Sequence, residues 1–247
     1  LAEDPCFSAM CQQHKITFIG PPARSIELMG SKARAKQTIQ DAGLPVIPGS
    51  DGHLESLDSA LQLADRIGYP ILLKATAGGG GKGIRPCHSP DQLKRNYSEA
   101  AIEAEKAFGS DRLYLEKLIT SGRHIEFQIL ADSYRQVVHL GERECSIQRK
   151  NQKLIEESPS PAIDTSTRNK TGKRLVSAIR KMGYQNAGTV EFLRDPEGHL
   201  YFMEMNTRLQ VEHPVTEEIC GVDIVAAQIQ IAANHPLPAK QKEIRFS

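Results

Sequence analysis

Three oxygen-bearing side chains in the last quarter of the chain could bind a divalent cation: Glu191, Glu204 and Asn206. Mg²⁺ takes a few carboxylate oxygens and completes its coordination with water and phosphate. Two glutamates that lie close together repel each other unless a positive charge separates them. The alternative interpretation is that both are solvated residues on an exposed sheet face. The polar residues that follow Asn206 favour the metal.

A β-hairpin is predicted to position these groups. Residues 189–206 form two β-rich runs around an Asp-Pro-Glu-Gly turn. If Asp195 pairs with Gly198, both glutamates lie on one face, with Glu191 opposite Phe202 and the carboxylates roughly 7 Å apart. The other face would be packed, and its members are Val190, Phe192, Tyr201, Met203 and Met205.

A glycine-rich turn is a second candidate site, for phosphate. Residues 78–83 read Gly-Gly-Gly-Gly-Lys-Gly and follow a predicted strand that carries Lys74. Backbone N–H groups of a glycine run can surround an anion, and Lys74 and Lys82 add positive charge. A strand follows and no Gly-Lys-Ser/Thr closes the turn, so it is not a P-loop. We interpret it as a flap over phosphate, with a flexible surface turn as the alternative.

Hydrophobic periodicity and turn signals predict an α+β chain. Strands are predicted at 15–19, 71–75, from 84, and at 113–119, 124–130 and 136–141. Helices are predicted at 25–40, 54–67, 89–108, 165–182 and 216–233. The first helix is interrupted or restarted at Gly30, with Ser31 as an N-cap. The charged run 143–153 is interpreted as a solvated loop, and 244–247 as a strand cut short.

Composition excludes several classes of function. The net charge is +1 and there is no basic run, so nothing indicates a nucleic acid or an anionic membrane surface. No apolar run in the sequence reaches the length needed to span a bilayer. The five cysteines form no CxxC pair, which predicts free thiols in a reducing compartment. Cys145 is interpreted as structural rather than reactive.

Motifs along the chain recur in the order and spacing of a known family. They are Met29–Lys32, Lys74 with the glycine turn, Glu116–Lys117, Glu142–Gln148 and Glu204–His213. On these residues the chain closely resembles biotin carboxylase, the ATP-grasp component of biotin-dependent carboxylases. It is most similar to the bacterial and plastid subunit of acetyl-CoA carboxylase. The resemblance covers nearly the whole chain.

The resemblance implies an ATP-grasp fold and a set of site residues. The implied domains are the end of an N-terminal α/β domain at 1–19, a helical linker at 20–46, a lid domain at 47–118 and a catalytic domain at 119–247. Contacts to ATP are implied for Lys32, Lys74, Gly79, Gly80, Gly81, Gly83, Glu116, Lys117, Leu118, His124 and Gln148. Two Mg²⁺ or Mn²⁺ ions are implied at Glu191 and Glu204, with Asn206 nearby. Bicarbonate contacts are implied for Lys153, Arg208, Gln210, Val211 and Glu212.

The implied reaction is the ATP-dependent carboxylation of biotin by bicarbonate through carboxyphosphate. Glu212 would be the base, with Arg208 and Lys153 as further catalytic groups. The biotin would be attached to a biotin carboxyl carrier protein, on a separate domain or chain, and a carboxyltransferase would use the product. We expect a homodimer in the cytoplasm or plastid stroma. The 247 residues themselves are expected to be an inactive fragment of that protein.

Alternatives to this interpretation stay open. Another ATP-grasp ligase, such as a carbamoyl-phosphate synthase half, would share the flap and the metal carboxylates, although the motif from Arg208 to His213 disfavours it. The same residues would also serve a propionyl-CoA, methylcrotonyl-CoA or pyruvate carboxylase. A non-catalytic remnant would show damaged catalytic positions, whereas the main candidate residues are present. Asn151 replaces the histidine found at its position in many relatives.

Overall fold

The computed structural model describes residues 1–76, 83–150 and 152–246, apart from the side chain of Lys32. Five residues of interest lie outside these ranges: Gly79, Gly80, Gly81, Lys82 and Asn151. The chain divides into two compact units, one of Leu1–Val46 with the described part of Gly122–Ser247, and one of Ile47–Ser121. None of the described helices is long and apolar enough to cross a membrane.

The predicted α+β class is confirmed. Over the described ranges, the helices are α1 (Pro5–Gln13), α2 (Ala23–Gly30), α3 (Lys32–Asp41), α4 (Leu57–Ile67), α5 (Pro90–Phe108), α6 (Thr165–Met182), α7 (His213–Cys220) and α8 (Ile224–Ala232). The strands are β1 (Ile71–Ala75), β2 (Ile84–Cys87), β3 (Leu113–Lys117), β4 (Arg123–Ala131), β5 (Val137–Arg149), β6 (Gln152–Glu157), β7 (Asn186–Arg194) and β8 (Leu200–Asn206). All five cysteines are free, as predicted.

The smaller unit is a three-stranded antiparallel sheet, in the order β2-β1-β3, covered by α4 and α5. Each helix starts at a serine N-cap, Ser56 or Ser89, whose hydroxyl accepts a backbone N–H three residues later. Helix α5 ends at Gly109 in the left-handed conformation. Gly83 has φ of 71°, and its carbonyl accepts the N–H of Ala75 at 3.0 Å.

The larger unit contains a five-stranded antiparallel sheet in the order β6-β5-β4-β7-β8. Strand β4 lies at its centre and alternates its side chains between two faces. Ile125, Phe127 and Ile129 belong to one core, which α6 completes. On the opposite face Leu130 packs with residues of α8, whereas Glu126 and Gln128 place buried polar groups there. One sheet face is therefore apolar, and the other carries the candidate chemistry.

One predicted strand in the first half of the chain differs from the structure, and one predicted helix takes the alternative left open for it. Residues 15–19 form no strand, because their backbone hydrogen bonds are local; Ile16, for example, donates to the carbonyl of Cys11 at 2.8 Å. Helices α2 and α3 are separate, as the alternative at Gly30 allowed. Ser31 is the N-cap of α3 by backbone geometry, but its side chain makes no capping hydrogen bond.

Three predicted segments in the second half are also wrong. The charged run 143–153 is mostly strand, in β5 and β6, and its residues Arg143 and Lys153 pair with Glu126 on β4. The single helix at 216–233 is two helices, because Gly221 has φ of 67° and Asp223 caps α8. Residues 244–246 form no strand; Phe246 instead stacks 5.7 Å from the Arg168 guanidinium.

A tight contact between α6 and β5 gives a test of this packing. A Cβ atom added at Gly172 would lie 2.3 Å from Nε2 of the buried His139 ring. We expect Gly172→Ala to lower the free energy of unfolding by about 1–3 kcal/mol, because the overlap exceeds the gain in helix propensity. Urea denaturation of the full-length protein measures the change.

The matched control is Gly30→Ala, also in a helix, where an added Cβ meets no atom within 4 Å. This variant should match or slightly exceed wild-type stability. If Gly172→Ala is as stable as the control, the close contact described between His139 and α6 is contradicted.

Candidate active site

The turn of the β7–β8 hairpin is one residue longer than predicted. Asp195 pairs with His199, whose carbonyl accepts its N–H at 2.9 Å, rather than with Gly198. Gly198 has φ of 96° and donates to the carbonyl of Asp195 at 3.1 Å. A three-residue loop that ends in a left-handed glycine is a common hairpin connection. The sequence Asp-Pro-Glu-Gly fits it as well as the shorter loop.

A bulge shifts the register again beside the predicted metal ligands. Glu191 lies opposite Glu204, not Phe202, and the next residue, Phe192, lies opposite Phe202. The extra residue on β8 allows side chains on both sides of the bulge to reach the same core. Of the predicted packed face, Val190, Phe192 and Met205 are buried in the core, whereas Tyr201 and Met203 are half-buried.

Three glutamates converge on one lysine in the larger unit. Glu126 and Glu191 are direct cross-strand neighbours on β4 and β7, and Glu212 lies between β8 and α7. Lys153 on β6 places Nζ 2.5 Å from Glu126 and 3.4 Å from Glu191, and it also donates to Glu212. The three glutamate side chains are at most 8% exposed. We call Glu126, Glu191, Glu212 and Lys153 the carboxylate cluster.

Arg143 on β5 holds the cluster from inside the protein. Its side chain is fully buried, and Nε donates to Glu126 at 2.6 Å. Its Nη groups donate to Gln128 and Thr216 at 2.9 Å each and to Gln210 at 3.1 Å. A buried cation is tolerated when it is paired and hydrogen-bonded, and Arg143 meets both conditions.

His124 adds a further positive charge. Its Nε2 forms ion pairs with Glu191 at 3.2 Å and Glu126 at 3.6 Å, without a well-formed hydrogen bond among the described residues. Burial lowers the pKa of His124, but attraction to the two carboxylates outweighs this effect and raises the pKa from 6.5 to about 9. The ring is therefore protonated at neutral pH. Gln148 lies 3.3 Å from its Nδ1.

The cations around the cluster keep the carboxylates of Glu126 and Glu191 ionised. Burial alone raises the pKa of Glu126, but His124, Arg143 and Lys153 outweigh burial and hold that pKa well below its usual range. The pKa of Glu191 is lowered for the same reason, mainly by His124. Burial lowers the pKa of Lys153, yet the neighbouring carboxylates raise it overall. Glu126, Glu191 and Lys153 thus carry full charges with little water around them.

The thiol of Cys145 is close to this cluster but is not reactive. Burial raises its pKa strongly, and the charge of Glu126 raises it further. A neutral thiol is a poor nucleophile, in agreement with a structural role.

The donors of the cluster fit a divalent cation. Oxygens of Glu126 and Glu191 lie within 4.8 Å of each other and of a ring nitrogen of His124, and carboxylate oxygens suit hard cations such as Mg²⁺. The Nε2 of His124 and the ammonium of Lys153 both occupy positions where positive charge is required. Within the described residues, this compact set does not include the exposed Glu204, which is Glu191's neighbour across β7 and β8. Asn206 donates to Glu191 at 2.8 Å.

The predicted bicarbonate residues connect to the same cluster. Gln210 donates to Glu191 at 3.0 Å, and Glu212 contacts Lys153. Arg208 donates to the side chain of Asn206 at 3.1 Å. Val211 is 91% exposed. Four of the five residues are therefore linked through hydrogen bonds to the carboxylate cluster, and Val211 stands beside them in sequence.

The predicted ATP residues of the smaller unit form their own local network. Lys74 on β1 forms an ion pair with the buried Glu116 on β3. The ammonium of Lys117 donates to the carbonyls of residues 68 and 69 at 3.0 and 3.1 Å. The N–H of Leu118 donates to the next carbonyl, at residue 70 (3.0 Å). These contacts fix the side chain of Lys117 and the backbone around it.

Sequence reasoning missed Glu126 and Arg143, the two most buried charges of the site. Glu126 is the one acidic residue of the predicted strand 124–130, which is a usable signal, because an isolated charge in a buried strand needs a partner. Arg143 lay in a run interpreted as a loop. No local pattern distinguishes a buried charged strand from a solvated one.

Comparison with known proteins identifies relatives over the whole chain. Residues 31–240 match the family of the carbamoyl-phosphate synthase L chain ATP-binding domain. The 2-oxoglutarate carboxylase small subunit of Hydrogenobacter thermophilus is 55% identical over 247 residues, which cover 100% of this chain and 52% of the relative. The biotin carboxylase of a Nostoc species is 53% identical over 244 residues, or 99% of this chain and 55% of the relative.

A solved structure shares the fold. The biotin carboxylase domain dimer of the Hydrogenobacter thermophilus 2-oxoglutarate carboxylase, in complex with MgADP, ADP and bicarbonate, is 55% identical, with a TM-score of 0.91. The match covers 100% of this chain and 55% of that one. The predicted ATP-grasp fold is thereby confirmed. The chain spans about half the length of the curated relatives it matches.

Replacement of Arg143 by methionine tests the buried ion pair. Arg143→Met would leave the carboxylate of Glu126 buried without its fully buried cationic partner. We expect the free energy of unfolding to fall by about 3–5 kcal/mol. Chemical denaturation followed by circular dichroism measures this loss. The double variant Arg143→Met/Glu126→Gln should recover part of it, because the uncompensated charge is removed.

The control is Arg123→Met, which removes a half-exposed arginine 2.8 Å from the buried Glu144. This loss should be at most about 1 kcal/mol, because water screens the exposed partner. Equal losses in the two single variants would contradict the special role of the buried pair.

Proposed function

Because the chain belongs to the ATP-grasp family of carbamoyl-phosphate synthase L chain ATP-binding domains, and within it to the biotin carboxylases, we propose that the protein carboxylates biotin with bicarbonate and ATP. The observation that carries the proposal is the carboxylate cluster, in which Lys153 joins Glu126, Glu191 and Glu212. Phosphoryl transfer requires positioning and charge neutralisation rather than a covalent nucleophile. The site supplies both, and its one thiol is neutral.

Metal ions would neutralise the phosphates of ATP. Mg²⁺, or Mn²⁺ in its place, bound at Glu191 and Glu204 would supply electrostatic stabilisation of the transferred phosphoryl group. The side chains around these positions orient the ligands: Asn206 and Gln210 donate to one oxygen of Glu191 at 2.8 and 3.0 Å. The other oxygen of Glu191 faces His124 at 3.2 Å.

Bicarbonate would bind beside the same cluster. Arg208 and Lys153 supply positive charge for the anion, with Gln210 and the exposed Val211 in the adjoining segment. Glu212 would remove the bicarbonate proton, and the resulting oxyanion would attack the γ-phosphorus of ATP to release ADP. The carboxyphosphate formed would break down to CO₂ and phosphate. The phosphate would then take the proton from the ureido nitrogen of biotin, which attacks CO₂.

ATP would be held by residues of the proposed lid domain at 47–118 and the catalytic domain at 119–247. In the smaller unit, Lys74 carries the charge for phosphate, and the Glu116 carboxylate beside it directs the ammonium. The Lys117 side chain and the Leu118 backbone N–H each donate a hydrogen bond to a nearby carbonyl. These bonds would hold both residues in position to contact the adenine. In the larger unit, His124 and Gln148 would contact the ribose. Lys32 and the glycines at 79–81 and 83 complete the proposed set.

The proposed partners are a biotin carboxyl carrier protein and a carboxyltransferase, with a homodimer as the assembly of the full-length protein. A dimer is the form of the Hydrogenobacter thermophilus domain. We propose acetyl-CoA as the final acceptor, which would give the protein a role in fatty acid synthesis. 2-Oxoglutarate is the second candidate, because a subunit of a 2-oxoglutarate carboxylase is 55% identical. Supplying each acceptor with its carboxyltransferase distinguishes the two.

Release of ADP from the full-length protein tests the proposed half-reaction. We expect release to require bicarbonate, a divalent cation and free biotin or a biotinylated carrier. ATP cleavage that is indifferent to bicarbonate, or that needs ammonia or glutamine as a nitrogen donor, would contradict the proposal and favour another ATP-grasp ligase.

Glutamine substitution tests the metal ligands. Glu191→Gln and Glu204→Gln should each lower metal-dependent ATP turnover by at least about tenfold at low Mg²⁺, because a neutral amide is a weak ligand for a hard cation. The unfolding free energy of Glu204→Gln should change little, whereas Glu191→Gln should lose some stability, because His124 and Lys153 favour the ionised form of Glu191. Steady-state ADP release against Mg²⁺ concentration measures the effect. Wild-type activity of either variant at low Mg²⁺ would show that its glutamate is not a ligand.

Glu212→Gln tests the proposed base. An amide cannot take the bicarbonate proton, so bicarbonate-dependent ATP cleavage should fall by about 10²–10⁴-fold with little change in nucleotide affinity. Equilibrium binding of a nucleotide analogue supplies the second measurement. A variant that binds nucleotide poorly, but turns over normally when bound, would place Glu212 in nucleotide binding instead.

A further inference from the structure

An acidic residue near the start of the chain reaches the proposed bicarbonate arginine. Glu3 accepts the side-chain Nε–H of Arg208 through Oε2 at 2.9 Å, and the backbone N–H of Thr207 through Oε1 at 2.9 Å. Its two oxygens thus bind two consecutive residues of a segment about 200 positions away in sequence. No motif considered in the sequence pointed to Glu3.

Local structure directs Glu3 to this position. The next residue, Asp4, caps helix α1 by accepting the N–H groups of Cys6 and Phe7 at 2.8 and 3.2 Å. Pro5 occupies the first helical position, where its missing N–H costs nothing. The chain direction at Glu3 is therefore set by a well-formed helix start.

The guanidinium of Arg208 is held from three directions. Besides the bond to Glu3, Nη2 donates to Asn206 at 3.1 Å and Nη1 to the carbonyl of Leu209 at 3.4 Å. A guanidinium has five N–H donors, so these contacts within the described residues leave one N–H on each terminal nitrogen for an anion. Arg208 is 37% exposed on its side chain, which gives an anion access.

We propose that Glu3 is a positioning residue for Arg208 in bicarbonate binding, an inference that rests on the proposed function. A free arginine side chain loses rotamer entropy when it is fixed. Glu3 fixes it before the anion arrives, and binds Nε rather than the terminal nitrogens. The opposed possibility is that Glu3 competes with bicarbonate for Arg208. The two roles predict opposite changes in affinity when the charge is removed.

Kinetics of Glu3→Gln in the full-length protein separate these roles. We expect the KM for bicarbonate to rise about tenfold, with the KM for ATP and the melting temperature unchanged, because the amide cannot accept both N–H groups as a carboxylate does. Glu3→Asp should lie between wild type and Glu3→Gln. The matched control is Glu27→Gln, which removes an exposed glutamate 3.5 Å from Arg34 and should leave both KM values unchanged. An unchanged or lowered KM for bicarbonate in Glu3→Gln overturns the inference.

A second measurement is independent of turnover. Phenylglyoxal modifies accessible arginines, and peptide mass spectrometry gives the rate at Arg208 with increasing bicarbonate. Protection should need about tenfold more bicarbonate in Glu3→Gln than in wild type. If the wild type is protected but shows no bicarbonate-dependent ADP release, the proposed function fails while this comparison still decides the inference. Equal protection in both proteins, or none in wild type, overturns the inference.

Discussion

The ion pair between Glu126 and Arg143 is the constraint on which the rest of the site depends. Both side chains are fully buried, so each charge needs its partner and further hydrogen bonds. Arg143 finds them on β4, on α7 and in the segment after β8, through Gln128, Thr216 and Gln210. The pair therefore fixes the position of the elements that carry the other candidate residues. A loop in place of β5 could not provide this anchor.

The sheet of the larger unit separates packing from chemistry. One face is closed by aromatic contacts, with Phe127 and Phe192 at 5.9 Å and Phe192 and Phe202 at 6.3 Å between ring centroids. The opposite face can then carry charged groups on rigid strands, which keeps carboxylates and cations in fixed positions. Lys153 is the adaptable member, because a flexible ammonium that touches three carboxylates can move when another cation arrives. Preorganised charge of this kind suits phosphoryl transfer.

Features with a local signal could be predicted from the sequence. The strands and capped helices of the smaller unit have such signals, and the motif ending at His213 led to the family. The hairpin register could not be derived, because the bulge after Glu191 follows from the packing of Phe202 and Met205. Strand β5 was missed because buried and solvated charges look alike in sequence. The contact from Glu3 to Arg208 joins distant segments, so no spacing rule reveals it.

Anomalous diffraction from crystals of the full-length protein, soaked with Mn²⁺ and a non-hydrolysable ATP analogue, tests the central claim most directly. The claim is that the carboxylate face of β7 and β8 binds the metal used with ATP. The predicted result is an anomalous peak within bonding distance of a Glu191 oxygen, with Glu204 as a further ligand. Peaks only at other positions, with Glu191 still held by Asn206, Gln210 and Lys153 alone, would contradict the account.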